Sequence, residues 1–169
     1  QAMIYHALRT DGRVPANQIG MNVKMLIENP KSNLFKELSN SKHKDYQGSF
    51  EPIPDVVIFK PEINSDWRRR NKKNTLENML IAIEVKASER EKGRLSPAEI
   101  ALDIRKLAAH REEVLNRGSS MLPIMMIIDS ARTESERMRR KALEQACILA
   151  KDLDVGMMYI SPTFEVCSI

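Results

Sequence analysis

The sequence predicts an α/β fold of three layers, a central mixed β-sheet flanked by helices. Three observations predict it. Residues 55–59, 79–87 and 121–128 are apolar runs of strand length, built mainly from Val, Ile, Leu and Met. Between the last two lies a long stretch of helical apolar spacing that opens on a capping box, Ser96 with Glu99. A second capping box, Thr133 with Glu136, opens another helix after the third run, and short apolar segments close the chain.

The first fifty residues read as short helices broken by loops. Residues 2–8 form a first turn or two, ended by the turn at Asp11-Gly12. Residues 18–28 read as a helix with Ile19, Val23, Leu26 and Ile27 on its apolar side, stopped by Asn29-Pro30. Residues 33–38 make another short helix. Two prolines and a glycine within 46–54 exclude a regular central strand there. Residues 55–59, bounded by Pro54 and Pro61, are β-branched and aromatic in the manner of a strand.

Residues 79–87 are nearly continuously apolar, as a strand covered on both faces requires. Only Glu84 and Lys86 intrude. Strand alternation puts both on one face with Leu80 and Ala82, and turns Ile81, Ile83 and Val85 to the other. In the next helix Ser96 caps, Pro97 suits the first helical position, and apolar spacing runs from Ile100 to Leu115 before Gly118 stops it. Residues 121–128 are a buried strand. The helix from Thr133 to about Lys151 turns Met138, Ala142, Ala146 and Leu149 inward, and 155–160 and 164–168 are final short strands.

Composition bounds the function. A chain of 169 residues and 19.3 kDa, with no repeat and no dividing linker, reads as a single domain over 1–169. Its opening at Gln1 rather than Met fits an excised domain or a trimmed chain alike. With 42% hydrophobic and 30% charged residues it is not wholesale disordered. Two cysteines, Cys147 and Cys167, are too few for a disulfide framework or a closed zinc site, which favours a reducing, cytoplasmic setting. The stretch 121–128 is interrupted by Pro123 and far short of a membrane span. No Gly-rich phosphate loop, nucleophile elbow or His-x-x-x-His pair is present, so the common nucleotide-binding and hydrolase classes lack support. The methionines of the third run and the tail read as core filling.

Net charge is +4, from 27 Lys and Arg against 23 Asp and Glu. Between Lys60 and Thr75 stand six basic residues, Lys60, Arg68, Arg69, Arg70, Lys72 and Lys73, and two acids, Glu62 and Asp66. That run carries a surplus equal to the whole excess. Taken alone it reads as a solvated loop.

Glu84 and Lys86 need explaining, because an ionised side chain in an apolar strand costs desolvation unless paired or bound to a cation. A mutual salt bridge at the wet end of the strand is the plain reading of Glu-x-Lys alone. Yet Pro54-Asp55 puts another carboxylate at the mouth of the preceding strand, and 28 residues separate Asp55 from Glu84, enough for a return to an adjacent position. Pro-Asp and Glu-x-Lys each occur once in the chain. Two carboxylates with carbonyls and waters suit hard Mg²⁺, and a nearby ammonium can orient a water or support developing charge.

Pro54-Asp55 followed by Glu84-Val85-Lys86 on the next long strand resembles the PD-(D/E)xK nuclease superfamily, whose helix–strands–helix–strand core would cover 18–128. The resemblance implies a restriction-endonuclease-like fold and Mg²⁺-dependent hydrolysis of DNA phosphodiesters, with Mn²⁺ as substitute. It implies Asp55 and Glu84 as metal ligands with the Val85 carbonyl as a third, and Lys86 positioning or activating the attacking water. The family often adds an acid from the first core helix, for which Glu28 is the candidate, with Glu37 and Glu51 behind it. The family also has a strand before the Pro-Asp strand, and no segment here reads as one.

The helix after the motif often supplies polar residues near the scissile phosphate in that family. Here Asp103, Lys106 and His110 form one stripe, with His110 reading as a solvated-face residue and Lys106 as a candidate phosphate contact. His6 and His43 have no partner pattern. Ser88, two past Lys86, is a further candidate contact, and Arg68, Arg69, Arg70, Lys72 and Lys73 become a phosphate grip. The expected partners are DNA, with RNA left open, no membrane, and either a second copy of the chain or further domains of a longer one. Two other readings stay open: a non-catalytic nucleic-acid-binding or protein-interaction module on the same fold, and an RNA-cleaving toxin domain.

Overall fold

The computed structural model describes residues 1–40, 49–68, 72–88 and 94–169. Among them the elements run α1 (Ala2–Thr10), β1 (Ile19–Met21), β2 (Ile27–Glu28), α2 (Asn33–Asn40), β3 (Ser49–Phe50), β4 (Val56–Phe59), α3 (Lys72–Glu77), β5 (Met79–Ala87), α4 (Pro97–Leu115), β6 (Leu122–Ile128), α5 (Arg140–Asp152), β7 (Gly156–Ile160) and β8 (Glu165–Ser168). Six strands form one sheet in the order β1-β4-β5-β6-β7-β8, and β2 pairs with β3 apart from it. The large sheet is mixed, since β6 and β7 run parallel while β1/β4, β4/β5 and β7/β8 are antiparallel. The protein is therefore an α/β fold with a central mixed sheet packed against helices.

The chain divides into two compact units, one of Gln1–Ile83 with Ala109–Leu122, the other of Glu84–Ala108 with Pro123–Ile169. In the first, β4 is buried along its whole length and has a neighbour on each edge. Its register with β1 is Ile19↔Ile58, Gly20↔Val57 and Met21↔Val56, and with β5 Val56↔Ile83, Val57↔Ala82 and Ile58↔Ile81, before a shift at Phe59. Ser32 caps α2 by accepting from the Phe35 N–H at 3.1 Å. Glu112 and Glu113 hold the same segment. The Glu113 carboxylate accepts from the Lys31 and Ser32 N–H groups at 2.7 and 2.8 Å, and Glu112 accepts from the Ser32 hydroxyl and the Leu34 N–H at 2.6 and 3.0 Å.

Residues 18–28 are not a helix. A short 3-10 turn, Ala16–Gln18, leads into β1, and β2 follows. The buried residues Ile19, Val23, Met25 and Ile27 fall on alternate positions, the period of extended chain, whereas the helical reading passed over Met25. Asn22, at φ 49°, breaks any helical run, and its N–H donates to the Asp55 carbonyl at 3.1 Å. Gly20 is required by close approach: a Cβ there would sit 2.3 Å from Val23 Cγ2 and 2.9 Å from Phe59 Cε2. The strand before the Pro-Asp strand is thus present as β1.

In the second unit α5 connects the parallel pair β6 and β7, a strand–helix–strand crossover, and β8 returns beside β7. The Thr133 capping box does not form: Thr133 makes no side-chain cap bond, its Oγ1 donating instead to Glu136 Oε2 at 2.8 Å beside the 3-10 turn Glu134–Glu136. The helix starts later, at Arg140, because the Met138 N–H is taken by the buried Asp129 carboxylate at 2.6 Å. Leu143, Ala146 and Ala150 then face inward, and Met138 is buried ahead of the helix. Ser96 caps α4 as expected, its Oγ accepting from the Glu99 N–H at 3.4 Å. No described helix is long and apolar enough to cross a membrane.

Candidate functional site

Asp55 stands on a bend just before β4, half-buried, and accepts a hydrogen bond from the Gln1 side-chain amide. Its chain neighbour Val56 pairs with Ile83, and Glu84 is the next residue after Ile83. The Pro-Asp and Glu-x-Lys motifs thus flank one cross-strand pair, two strands adjacent in the sheet. Val56 and Ile83 are buried at 0% and 5% exposure, so the motif carboxylates follow directly on closed apolar packing.

Within the second unit, Glu84, Lys86, Asp103 and Lys106 form a charged cluster. Lys86 Nζ lies 3.0 Å from Asp103 Oδ2 and 4.0 Å from Glu84 Oε1. Lys106 Nζ lies 3.7 Å from Asp103 Oδ1. A mutual Glu84–Lys86 bridge is therefore the looser of the two pairs Lys86 makes among the described residues. Burial opposes the Lys86 charge, but Asp103, by hydrogen bond and charge, and then Glu84 and Glu99 outweigh it, so its pKa sits above the ordinary lysine value. Lys86 is an ammonium ion at neutral pH.

Ser88 extends the line of β5. Its N–H donates to the Ile128 carbonyl at 3.0 Å and its own carbonyl accepts from Ser130 Oγ at 3.1 Å. Its hydroxyl oxygen is buried and has no hydrogen-bond partner among the described residues. The helical stripe divides. Asp103 and Lys106 join the ion pairs, while His110 is buried, and burial alone takes its pKa down to about 4. A neutral histidine inside the packing replaces the expected solvated one.

The basic run is only partly visible. Arg69 and Arg70 lie outside the described residues, as does the side chain of Lys72. Lys60 is a structural tie, its ammonium donating to the Glu77 carbonyl and to Ser119 Oγ, each at 3.1 Å. Arg68 makes a two-pronged pair with Asp66 at 2.7 and 3.1 Å, which raises its pKa by hydrogen bond and charge. Lys73 lies 3.8 Å from Glu77, one turn along α3. Both cations are exposed, so solvent screens these pairs. Trp67 stacks on Phe59 with ring centroids 5.4 Å apart, anchoring the run at its start.

Glu28 departs from expectation: it lies on β2, exposed and paired in register with Ser49, because 18–28 is extended chain rather than helix. Glu37 is on the exposed side of α2 and Glu51 is in a loop, half-buried. Sequence reasoning passed over Asp129, fully buried at the end of β6, which accepts from the Met138 N–H and from the Tyr159 hydroxyl at 3.1 Å. Its one sequence signal was a lone carboxylate closing the apolar run 121–128. Burial first, then Asp129, pushes the Tyr159 pKa up.

No group of three or more His, Cys, Asp or Glu among the described residues forms a metal cage. The motif donors, two carboxylates and a backbone carbonyl, are hard oxygens. They suit Mg²⁺, which keeps several waters and needs only one or two carboxylates, rather than a closed zinc site. Neither a family model, a curated protein nor a solved structure matches this chain.

Proposed function

We propose that this chain is a metal-dependent nuclease of the PD-(D/E)xK kind, hydrolysing phosphodiester bonds of DNA. The observation that carries the reading is the register Val56↔Ile83, whose chain neighbours are Asp55 and Glu84, with Lys86 two residues on along the same strand. The strand β1 beside β4, and the helix and buried strand after the motif, add support.

In this reading Asp55, Glu84 and the Val85 carbonyl hold Mg²⁺ or Mn²⁺. When bound, that cation neutralises phosphate charge and lowers the pKa of a coordinated water. Lys86, a charged donor, orients the water and supports the charge that develops on the phosphate oxygens. Lys106 contacts the flanking backbone with the Ser88 hydroxyl, buried two residues past Lys86, as support, and Arg68, Arg69, Arg70, Lys72 and Lys73 grip phosphates further along, contributing affinity without sequence preference.

The test is conversion of supercoiled plasmid to nicked or linear DNA with Mg²⁺ or Mn²⁺. Wild type is expected to cut, Glu84→Ala to lose cutting and Lys86→Ala to cut far more slowly with a measurable residual rate, both while still binding DNA. Equal cutting by all three sinks the reading. DNA binding without any turnover would favour the non-catalytic module instead.

A further inference from the structure

We propose that Asp103 is a positioning residue for the cleavage step, a buried carboxylate on α4 that aims the Lys86 ammonium. The inference rests on the nuclease reading and names a residue that the motif does not contain.

Lysine carries its charge on a four-carbon stem, and burying the stem does not by itself choose where the head points. Among the described residues the head on β5 has two carboxylates in reach, and it stands 3.0 Å from Asp103 against 4.0 Å from Glu84. The Asp103 side chain is 10% exposed and that of Lys86 31%, so the anchor is the more deeply held partner. Asp103 in turn sits on a helix of 19 residues, capped at its start, whose Ile100, Ile104 and Leu107 are buried. A carboxylate so enclosed requires pairing, and both of its oxygens face ammonium groups, Lys86 on one side and Lys106 at 3.7 Å on the other. One aspartate therefore draws two cations, each about a third exposed, to a single carboxylate.

A point charge misplaced by about 1 Å costs on the order of 10²-fold in rate when it acts in the transition state. Steady-state cleavage of a duplex by wild type, Asp103→Asn, Lys86→Ala and the double variant tests the role. Asp103→Asn keeps shape and removes charge. It is expected to lower kcat by roughly 10- to 100-fold with KM within about threefold, and to add nothing to Lys86→Ala. Should Asp103→Asn fail to fold, Asp103→Glu keeps the charge and displaces it, and the same kcat loss is expected. An undiminished kcat, or losses that add in the double variant, overturns the positioning role and leaves the nuclease reading standing. No metal-dependent cleavage by wild type overturns both.

Discussion

Lys86 is held from the helix, not from its own strand: its ammonium lies 3.0 Å from Asp103 on α4 and 4.0 Å from Glu84, two residues back on β5. A Glu-x-Lys pair that merely neutralised itself would show the reverse. The wider contrast is with the basic run, where Arg68 and Lys73 are themselves exposed, at 81% and 82%, and solvent screens their pairs with Asp66 and Glu77. Lys86 is paired in a drier setting, where position is worth more than net charge.

Gly20 has the least room for a Cβ of the described glycines. A methyl there meets Val23 Cγ2 at 2.3 Å and Phe59 Cε2 at 2.9 Å, both on buried side chains. Gly20→Ala is expected to destabilise the fold by about 1–3 kcal/mol, read from urea unfolding, because neither neighbour can retreat without disturbing its own contacts. An unchanged midpoint would show that β1 does not press on β4.

Glu112 ties stability to pH. Burial would raise its pKa, but the Ser32 hydroxyl, the Leu34 and Asn33 N–H groups and the charge of Lys36 together hold it below the ordinary carboxylate value. A depressed pKa contributes stability that is fully present above the unfolded value and is lost as pH falls through the folded one. Wild type is therefore expected to exceed Glu112→Gln by about 1 kcal/mol or less at neutral pH, in the range of a helix-cap bond. The difference closes as the solution is acidified below the carboxylate range. Thermal unfolding of the two proteins across that range checks it, and a gap that persists in acid would contradict the assignment.

The second half of the fold was legible because its signals are local. Met79–Ala87 is long, apolar and bounded, and Ser96-Pro97 followed by Glu99 marks a helix start whose cap forms. The first half was not, because apolar residues at 19, 23, 26 and 27 satisfy helical spacing while the buried set, which includes Met25, satisfies alternation. Choosing between them needs β4, a partner distant in sequence. The Thr133 box did not form and did not open α5: Thr133 pairs with the Glu136 side chain, and Asp129 takes the Met138 N–H that a longer helix would use. Of the candidate site, Asp55, Glu84 and Lys86 could be read from motif and strand pattern. Asp103 could be put on the same stripe as Lys106, but the 3.0 Å contact that gives it a role depends on how α4 lies against β5. Glu28 was read on the same misread helix and lies on β2 instead.

The account turns on Asp55 and Glu84 holding one divalent cation. Titration of Mn²⁺ into the purified chain, with free metal followed by electron paramagnetic resonance, tests that without any substrate. Wild type is expected to bind Mn²⁺, Asp55→Ala and Glu84→Ala each to lose that binding, and Lys86→Ala to retain it. Equal Mn²⁺ uptake by wild type and both carboxylate variants would contradict the account.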